Sequence, residues 1–265
     1  MALRYEPIAR SAGNKKFVSA TAVADYGDAQ ALWLPKSTPF RVRMAIGSAD
    51  LHNRSGSTCK VGLAGRLPVN QWVAGQVTAA GVYTADTTDA QDEGTNDFSM
   101  LDRTDSGAGF LVGANIPFNA LGIVQGVAGD QTATLVLEFW DGTAWTDMTA
   151  GLLISDALIT GTGEKVLVWP IPSNWVVGGS GTGVPSTTYN VRVRHTVAAA
   201  GTTDPAASQM FVAHALVQLE NVTDNQVATL LDSSEYTFPS QCDAMFPIFS
   251  TASFANTVLV TVRNG

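Results

Sequence analysis

Four groups of side chains in this sequence are of types that do chemistry. Trp140 and Trp145 flank Asp141-Gly142 in TATLVLEFWDGTAWTDM (Thr132–Met148), and Trp169 and Trp175 flank a Pro-containing bend. Indoles paired on a surface stack on sugar rings or meet another protein. Paired inside a fold they pin a hairpin, and a cross-strand aromatic pair stabilises one by about 0.2–1 kcal/mol. Trp140 and Trp145 are therefore candidate surface aromatics as well as candidate core. Asp86, Asp89, Asp92, Glu93 and Asp97 could offer oxygens to Ca²⁺, but their spacing is not D-x-[DN]-x-[DN]-G with a closing Glu, so a solvated loop is expected. His52, His195 and His214 lie far apart without a ligand-like spacing, although His195 and His214 could sit on adjacent strands. Ser180 in GGSGTG lacks a G-x-S-x-G elbow, because Thr182 occupies its last position. Gly107-Ala-Gly109 followed by Gly113 misses the dinucleotide-binding spacing by one residue. Neither a catalytic set nor a metal or cofactor site is expected, and the chain reads as a non-enzyme.

The composition narrows the partners. The chain has 265 residues, enough for one large β domain or two smaller ones. Charged residues make up 14%, against roughly 25% in ordinary globular chains, while hydrophobic residues reach 45%. Such a chain builds a core and leaves a surface suited to being covered by partners. The net charge of −8 is unevenly spread. Residues 1–66 carry ten Lys/Arg and four Asp/Glu, residues 67–161 one Arg and twelve acids, and residues 162–265 four bases and seven acids. The cations of the basic start are diluted among apolar residues, which fits an acidic protein surface and argues against a nucleic-acid partner. Cys59 and Cys242 read as two reduced, buried thiols. No apolar run reaches the roughly 18 residues of a membrane span, so no membrane partner is expected. The first residues lack an apolar signal core, and the patterns Asn53-Arg-Ser55 and Asn221-Val-Thr223 then read as chance glycosylation matches.

The elements that must position these groups are strands. Residues 1–35 show no persistent period and read as an extended arm whose Arg4, Tyr5, Ile8, Arg10, Lys15, Lys16 and Phe17 bind a partner. Residues 36–125 read as a β-rich region. It opens with the alternating PFRVRMAIG, holds a long acidic loop from about 75 to 110, and closes with the buried GFLVGANIPFNALGIVQG. Residues 126–220 read as a β-sandwich core. Ala133, Leu135, Leu137 and Phe139 face one way there, and Asp141-Gly142 signals a tight hairpin whose two turn positions tolerate positive φ. Within it, YNVRVRHTV sets Val191, Val193 and His195 on one face and Asn190, Arg192 and Arg194 on the other. Residues 221–265 read as a C-terminal β segment that packs on the body. The fold class is all-β, a β-sandwich or jelly roll with an extended N-terminal arm.

LEFWDGTAWTDM, then VLVWPIPSNW, a Gly-rich loop and YNVRVRHT together resemble a pattern of tailed-bacteriophage structural proteins. In that pattern a YWNGSSW-like hairpin precedes a P-x-x-W bend and a YWVRVR-like strand. The resemblance spans about Thr132 to Val197 and departs at Asn190, where a second aromatic is common. It implies a virion surface protein: a capsid decoration (cement) or head-fibre protein on the capsid exterior, made in the host cytoplasm. Such a protein binds the major capsid protein shell and stabilises it. Its second partner would be itself as a homo-oligomer, with a trimer expected because quasi-threefold sites are common docking points. The alternative expectation is a carbohydrate-binding or receptor-binding fibre or tail domain that uses exposed tryptophans.

Overall fold

The computed structural model describes residues 13–19, 32–33, 40–46, 58–155, 157–196, 201–215, 220–223, 235–236, 239, 241–249 and 256–264. The chain opens with β1 (Gly13–Ser19), β2 (Leu32–Trp33), β3 (Phe40–Ile46) and β4 (Thr58–Arg66). It continues through β5 (Trp72–Val77), β6 (Tyr83–Ala85), a five-residue helix α1 (Thr87–Gln91), β7 (Phe98–Ser99), β8 (Gly109–Ala114) and β9 (Ala120–Val127). Next come β10 (Leu135–Trp140), β11 (Trp145–Asp147), β12 (Ile154–Ser155), β13 (Gly163–Val168), β14 (Tyr189–His195) and β15 (Ala206–Ala215). The last strands are β16 (Glu220–Thr223), β17 (Glu235–Tyr236), β18 (Ala244–Phe249) and β19 (Asn256–Asn264). The ladders are antiparallel, so the chain is all-β, as its alternating stretches and turn signals predict.

Contacts divide the chain into two units. One comprises Met1–Leu67 with Ala213–Gly265, and the other is Pro68–Val212, inserted into the first. These units differ from the segments 36–125, 126–220 and 221–265 expected from the sequence. Local periodicity identifies a strand but not its partner, and here the partners lie at opposite ends of the chain. In the first unit β1 pairs with β19, from Gly13↔Val262 to Ser19↔Asn256, and β19 pairs in turn with β3. Lys15, Lys16 and Phe17 are thus strand residues opposite Val260, Leu259 and Val258, where the sequence suggested an irregular arm. The stretch GNKKFVS lacks alternation of its own, and ladder bonds to the alternating NTVLVTVRN supply the regularity. Arg4, Tyr5, Ile8 and Arg10 lie outside the described residues. Cys242 is buried, and burial pushes its thiol pKa up to about 12, so it is an inert reduced thiol.

The inserted unit is a two-sheet sandwich. Six strands run in the order β11-β10-β14-β8-β5-β6, and β12-β13-β9-β15 form the facing sheet with β7 beside β15. The strand β15 belongs to this unit as far as Val212. Phe98 of β7 meets Phe110 of β8 edge-on at 6.0 Å, closing one part of the core. Trp175 closes another part: its ring lies 5.2 Å from Phe118, 6.5 Å from Phe139 and 5.7 Å from Tyr189. Phe118 continues the cluster to Trp169 at 5.6 Å. Trp169 and Trp175, which flank the Pro-containing bend, are therefore both core residues. The two outermost strands of the six-stranded sheet, β11 and β6, are three residues each, too short to template pairing with another chain.

The stretch from 75 to 110 is more ordered than its composition suggests. Tyr83 Oη donates to the Ala74 carbonyl at 2.8 Å, Thr87 Oγ1 accepts from Ala74 N at 3.0 Å, and Gln91 Nε2 donates to the Val69 carbonyl at 2.7 Å. Elements of two to five residues held by side chains are too short to produce a readable period.

Glycines let the six-stranded sheet close up. A Cβ on Gly109 would collide with the Val193 carbonyl of β14, and one on Gly75 with the Thr84 carbonyl and, at 2.7 Å, the Tyr83 ring. Gly109→Ala should therefore lower stability by about 1–3 kcal/mol, as overpacking does, read as a lower urea midpoint with an unchanged m value. An unaltered midpoint would show that β8 and β14 can part without cost.

Candidate functional site

The hairpin singled out by the sequence forms in the expected place. Trp140 and Trp145 are direct partners across β10 and β11, after Glu138↔Asp147 and Phe139↔Thr146. The connection has four residues, Asp141 to Ala144, in place of a two-residue turn. Asp141 organises it through its side chain. Oδ1 accepts from Ala144 N at 2.7 Å, Thr143 N at 2.8 Å and Thr143 Oγ1 at 2.8 Å, and Oδ2 accepts from Thr146 Oγ1 at 2.9 Å. These donors, with the Ala144 amide first, hold the Asp141 carboxyl far below the usual carboxylate range. Gly142 takes φ +99°, so it supplies the positive φ while Asp141 acts as an Asx-turn acceptor.

Trp140 and Trp145 are half-buried and packed against each other, 5.6 Å between centroids at 61°. The Arg192 guanidinium lies 4.5 Å from the Trp145 ring centroid, a cation–π contact worth about 0.5–2 kcal/mol. Trp145 Nε1 donates to the Ser180 carbonyl at 3.1 Å. The tilted packing and the guanidinium over one ring exclude a flat two-indole platform. Beneath them Glu138, 4% exposed, is shared by two cations. Arg192 Nε reaches its Oε2 at 2.6 Å, while Arg194 reaches Oε2 through Nε at 2.8 Å and Oε1 through Nη2 at 3.0 Å. The hydrogen bond to Glu138 raises the Arg194 pKa further and keeps that guanidinium charged.

The Gly-rich loop crosses from one edge of the sheet to the other. At the β11 edge Val176 N donates to the Trp140 carbonyl at 3.2 Å, and Ser180 receives Trp145 Nε1. At the β6 edge Thr182 N donates to the Gly81 carbonyl at 3.0 Å, and Tyr83 N donates to the Thr182 carbonyl at 2.9 Å. Asn190 holds the loop from below. It is fully buried, its Oδ1 accepting from Thr188 Oγ1 at 2.7 Å and its Nδ2 donating to the Gly178 and Pro185 carbonyls at 2.9 and 2.7 Å. Its main-chain carbonyl accepts from Trp175 Nε1 at 3.2 Å. An aromatic side chain at 190 could not make the bonds to Thr188, Gly178 and Pro185. The loop leaves Val176 40% and Val177 46% exposed, and the β5–β6 turn leaves Val82 41% exposed. No charged residue occurs from Pro170 to Tyr189 or from Val77 to Ala85. Carboxylates border both segments: Asp105 Oδ2 accepts from Ala79 N at 2.9 Å, and Asp141 belongs to the turn beside Val176.

The other candidates are placed elsewhere. Asp86 accepts from Gln76 Nε2 at 2.6 Å, and Asp89 has its pKa raised by a hydrogen bond to Asp86 and by the neighbouring acids. Among the described residues no group of three His, Cys, Asp or Glu side chains is placed to hold a metal ion. His195 is buried on β14 with Nε2 2.8 Å from the Asp102 carbonyl, whereas His214 is on β15 of the other sheet, so the two are not strand neighbours. His52 lies outside the described residues. The sequence showed Arg192 and Arg194 on one face but not their partner, which depends on the Glu138↔Arg192 register. A scan against protein-family models and a search of curated proteins find no match.

Removing Glu138 should expose the cost of its two unmatched guanidiniums. Glu138→Ala is expected to destabilise toward the lower end of about 3–5 kcal/mol, because Arg194 keeps 31% exposure and some hydration. Chemical denaturation monitored by Trp fluorescence reads this directly. Trp140→Ala should cost less than the about 3–5 kcal/mol of a fully buried ring.

Asp141 gives a pH signature. Its folded pKa lies below the unfolded value, so its contribution is complete above about pH 4 and is lost as pH falls through the folded pKa. Asp141→Asn should melt lower than the parent at pH 7, and the gap should narrow progressively below about pH 4. A gap that is constant with pH would remove the carboxylate from the account.

Proposed function

We propose that this chain is a non-enzymatic structural protein that attaches to a large assembly through the unit containing both termini and displays the inserted sandwich. The observation that carries this is the insertion itself. Arg66 and Ala213 are register partners on β4 and β15, so Pro68–Val212 leaves and re-enters at adjacent strand positions. An insert with adjacent ends can extend a surface without disturbing the base that bears it. Charge divides along the same line: Pro68–Val212 carries four Lys/Arg against fourteen acids, while the other unit carries eleven against nine, ten of those bases within residues 1–67. A basic, apolar-interleaved start suits attachment to an acidic protein surface, and an acidic sandwich suits display.

Combined with the phage-like motif, this supports a capsid decoration or cement protein that binds the major capsid protein and stabilises the shell from outside as a homo-oligomer, with a trimer as the expected state. The carbohydrate- or receptor-binding alternative is weaker, because Arg192 already occupies a face of Trp145.

The test uses purified capsid particles lacking the protein. The full chain should co-pellet with them. A variant without residues 1–12, which spares β1 and removes Arg4, Tyr5, Ile8 and Arg10, should stay folded but bind more weakly. Replacing only Arg4 and Arg10 should weaken binding less, and that smaller loss should shrink at high salt. Wild-type occupancy by the truncated chain would overturn the role given to the arm. Co-pelleting by residues 68–212 alone would overturn attachment through the other unit.

A further inference from the structure

We infer that the arginine-bearing face of the four-stranded sheet β1-β19-β3-β17 is an interaction surface, whose occupant is a carboxylate-rich patch on a partner protein. The strand registers make the placement. Arg263 of β19 stands directly opposite Arg41 of β3, and Thr261 stands opposite Arg43. Successive residues of a strand belong to opposite faces, so Arg41, Arg43 and Arg263 share one face. Lys16, opposite Leu259, falls on the same face, and so does Glu235, opposite Arg41. Among the described residues this face therefore holds four cations and one acid. The other face takes Val42, Met44, Ile46, Val258, Val260 and Val262. Such alternation marks the apolar face for burial and leaves the arginine face for contacts outside the sheet.

The spacing calls for an anion. Residues directly opposite in an antiparallel pair have Cβ atoms about 4.5–5.5 Å apart, and diagonal neighbours about 7–8 Å apart. Residues two apart on one strand are about 7 Å apart. Arg41, Arg43 and Arg263 thus form a triangle no more than about 8 Å on a side. Like charges directly opposite destabilise a sheet, and the register sets one carboxylate residue, Glu235, beside three arginines. A guanidinium fork matches a carboxylate bidentately. The surrounding charge selects a protein over a nucleic acid. The unit carries eleven Lys/Arg against nine acids and the chain is −8 overall, so a polyanion running beyond the triangle meets repulsion. A local carboxylate cluster does not. Leu259, Ala45 and Val18 continue the same face with apolar positions, which a contact between proteins buries. Lys15 falls on the apolar face of the edge strand, which discourages another strand from adding to β1, so the contact is made by the face and not by the edge. The inference rests on the proposed attachment through this unit and names the surface that attaches.

Arg263→Glu separates binding from folding. It turns the like-charge pair with Arg41 into an opposite-charge pair across the strands, so the full-length variant should melt at or above the parent temperature. Its binding should nevertheless fall at least about tenfold, as should that of Arg43→Glu. Two probes read the binding: capsid particles lacking the protein, by co-pelleting, and fluorescein-labelled hexaglutamate, by anisotropy. Binding of both should weaken between about 0.1 and 0.5 M NaCl. Lys165→Glu makes the same charge change on β13 of the inserted unit and should leave both unchanged. Particle binding indifferent to both arginine variants would overturn the inference and leave the attachment reading standing. An equal loss in Lys165→Glu, or tighter binding to a short DNA duplex than to hexaglutamate, would also overturn it. Hexaglutamate binding through this face without particle binding would defeat the attachment reading alone, and binding of neither probe would defeat both.

Discussion

Trp175 is the interaction on which the inserted unit depends. It is 6% exposed and sits in the connection between β13 and β14, one strand from each sheet. Its ring meets Phe118, beside one sheet, and Phe139 and Tyr189 of the other. Two antiparallel sheets need side chains from both inner faces to interdigitate. Here one indole reaches both, and its Nε1 is satisfied by the Asn190 carbonyl. The bend that carries it, with Pro170 and Pro172, limits the chain's freedom and so fixes where the ring can stand.

Asn190 converts that core contact into surface architecture. Its main chain holds Trp175, and its side chain holds the Gly-rich loop at Gly178 and Pro185. Glycine at 113 makes room, because a Cβ there would meet Asn190 Oδ1 and, at 2.6 Å, Thr188 Oγ1. A fully satisfied buried amide costs little and specifies one arrangement, whereas an unsatisfied one is expensive. The loop that presents Val176 and Val177 is thereby as well determined as a strand, despite its glycines. The Glu138, Arg192 and Arg194 cluster does the same for the hairpin, by placing a guanidinium under Trp145.

Within the functional reading, the two units divide the labour. The unit containing both termini is scaffolded by β1 and β19, so the N-terminal residues preceding Gly13 start from a strand at the edge of a four-stranded sheet. The inserted unit contributes an acidic body, with fourteen Asp and Glu against four Lys and Arg.

Alternation along single stretches was enough to determine that the chain is all-β. It also set Arg192 and Arg194 on the face opposite Val191 and Val193, and Asp-Gly marked the hairpin of Trp140 and Trp145, since these features depend on residues within about ten positions of each other. The tertiary structure alone decided that Lys15 to Phe17 pair with Val258 to Val260, that the unit boundary falls at Leu67 and Val212, and that Glu138 meets two arginines. It alone made the Gly-rich loop join both edges of a sheet. Each of these depends on which strand lies beside which. A strand's side-chain period of two records which face is buried but carries no label for its neighbour, so partners far apart in sequence are settled only when the whole core packs.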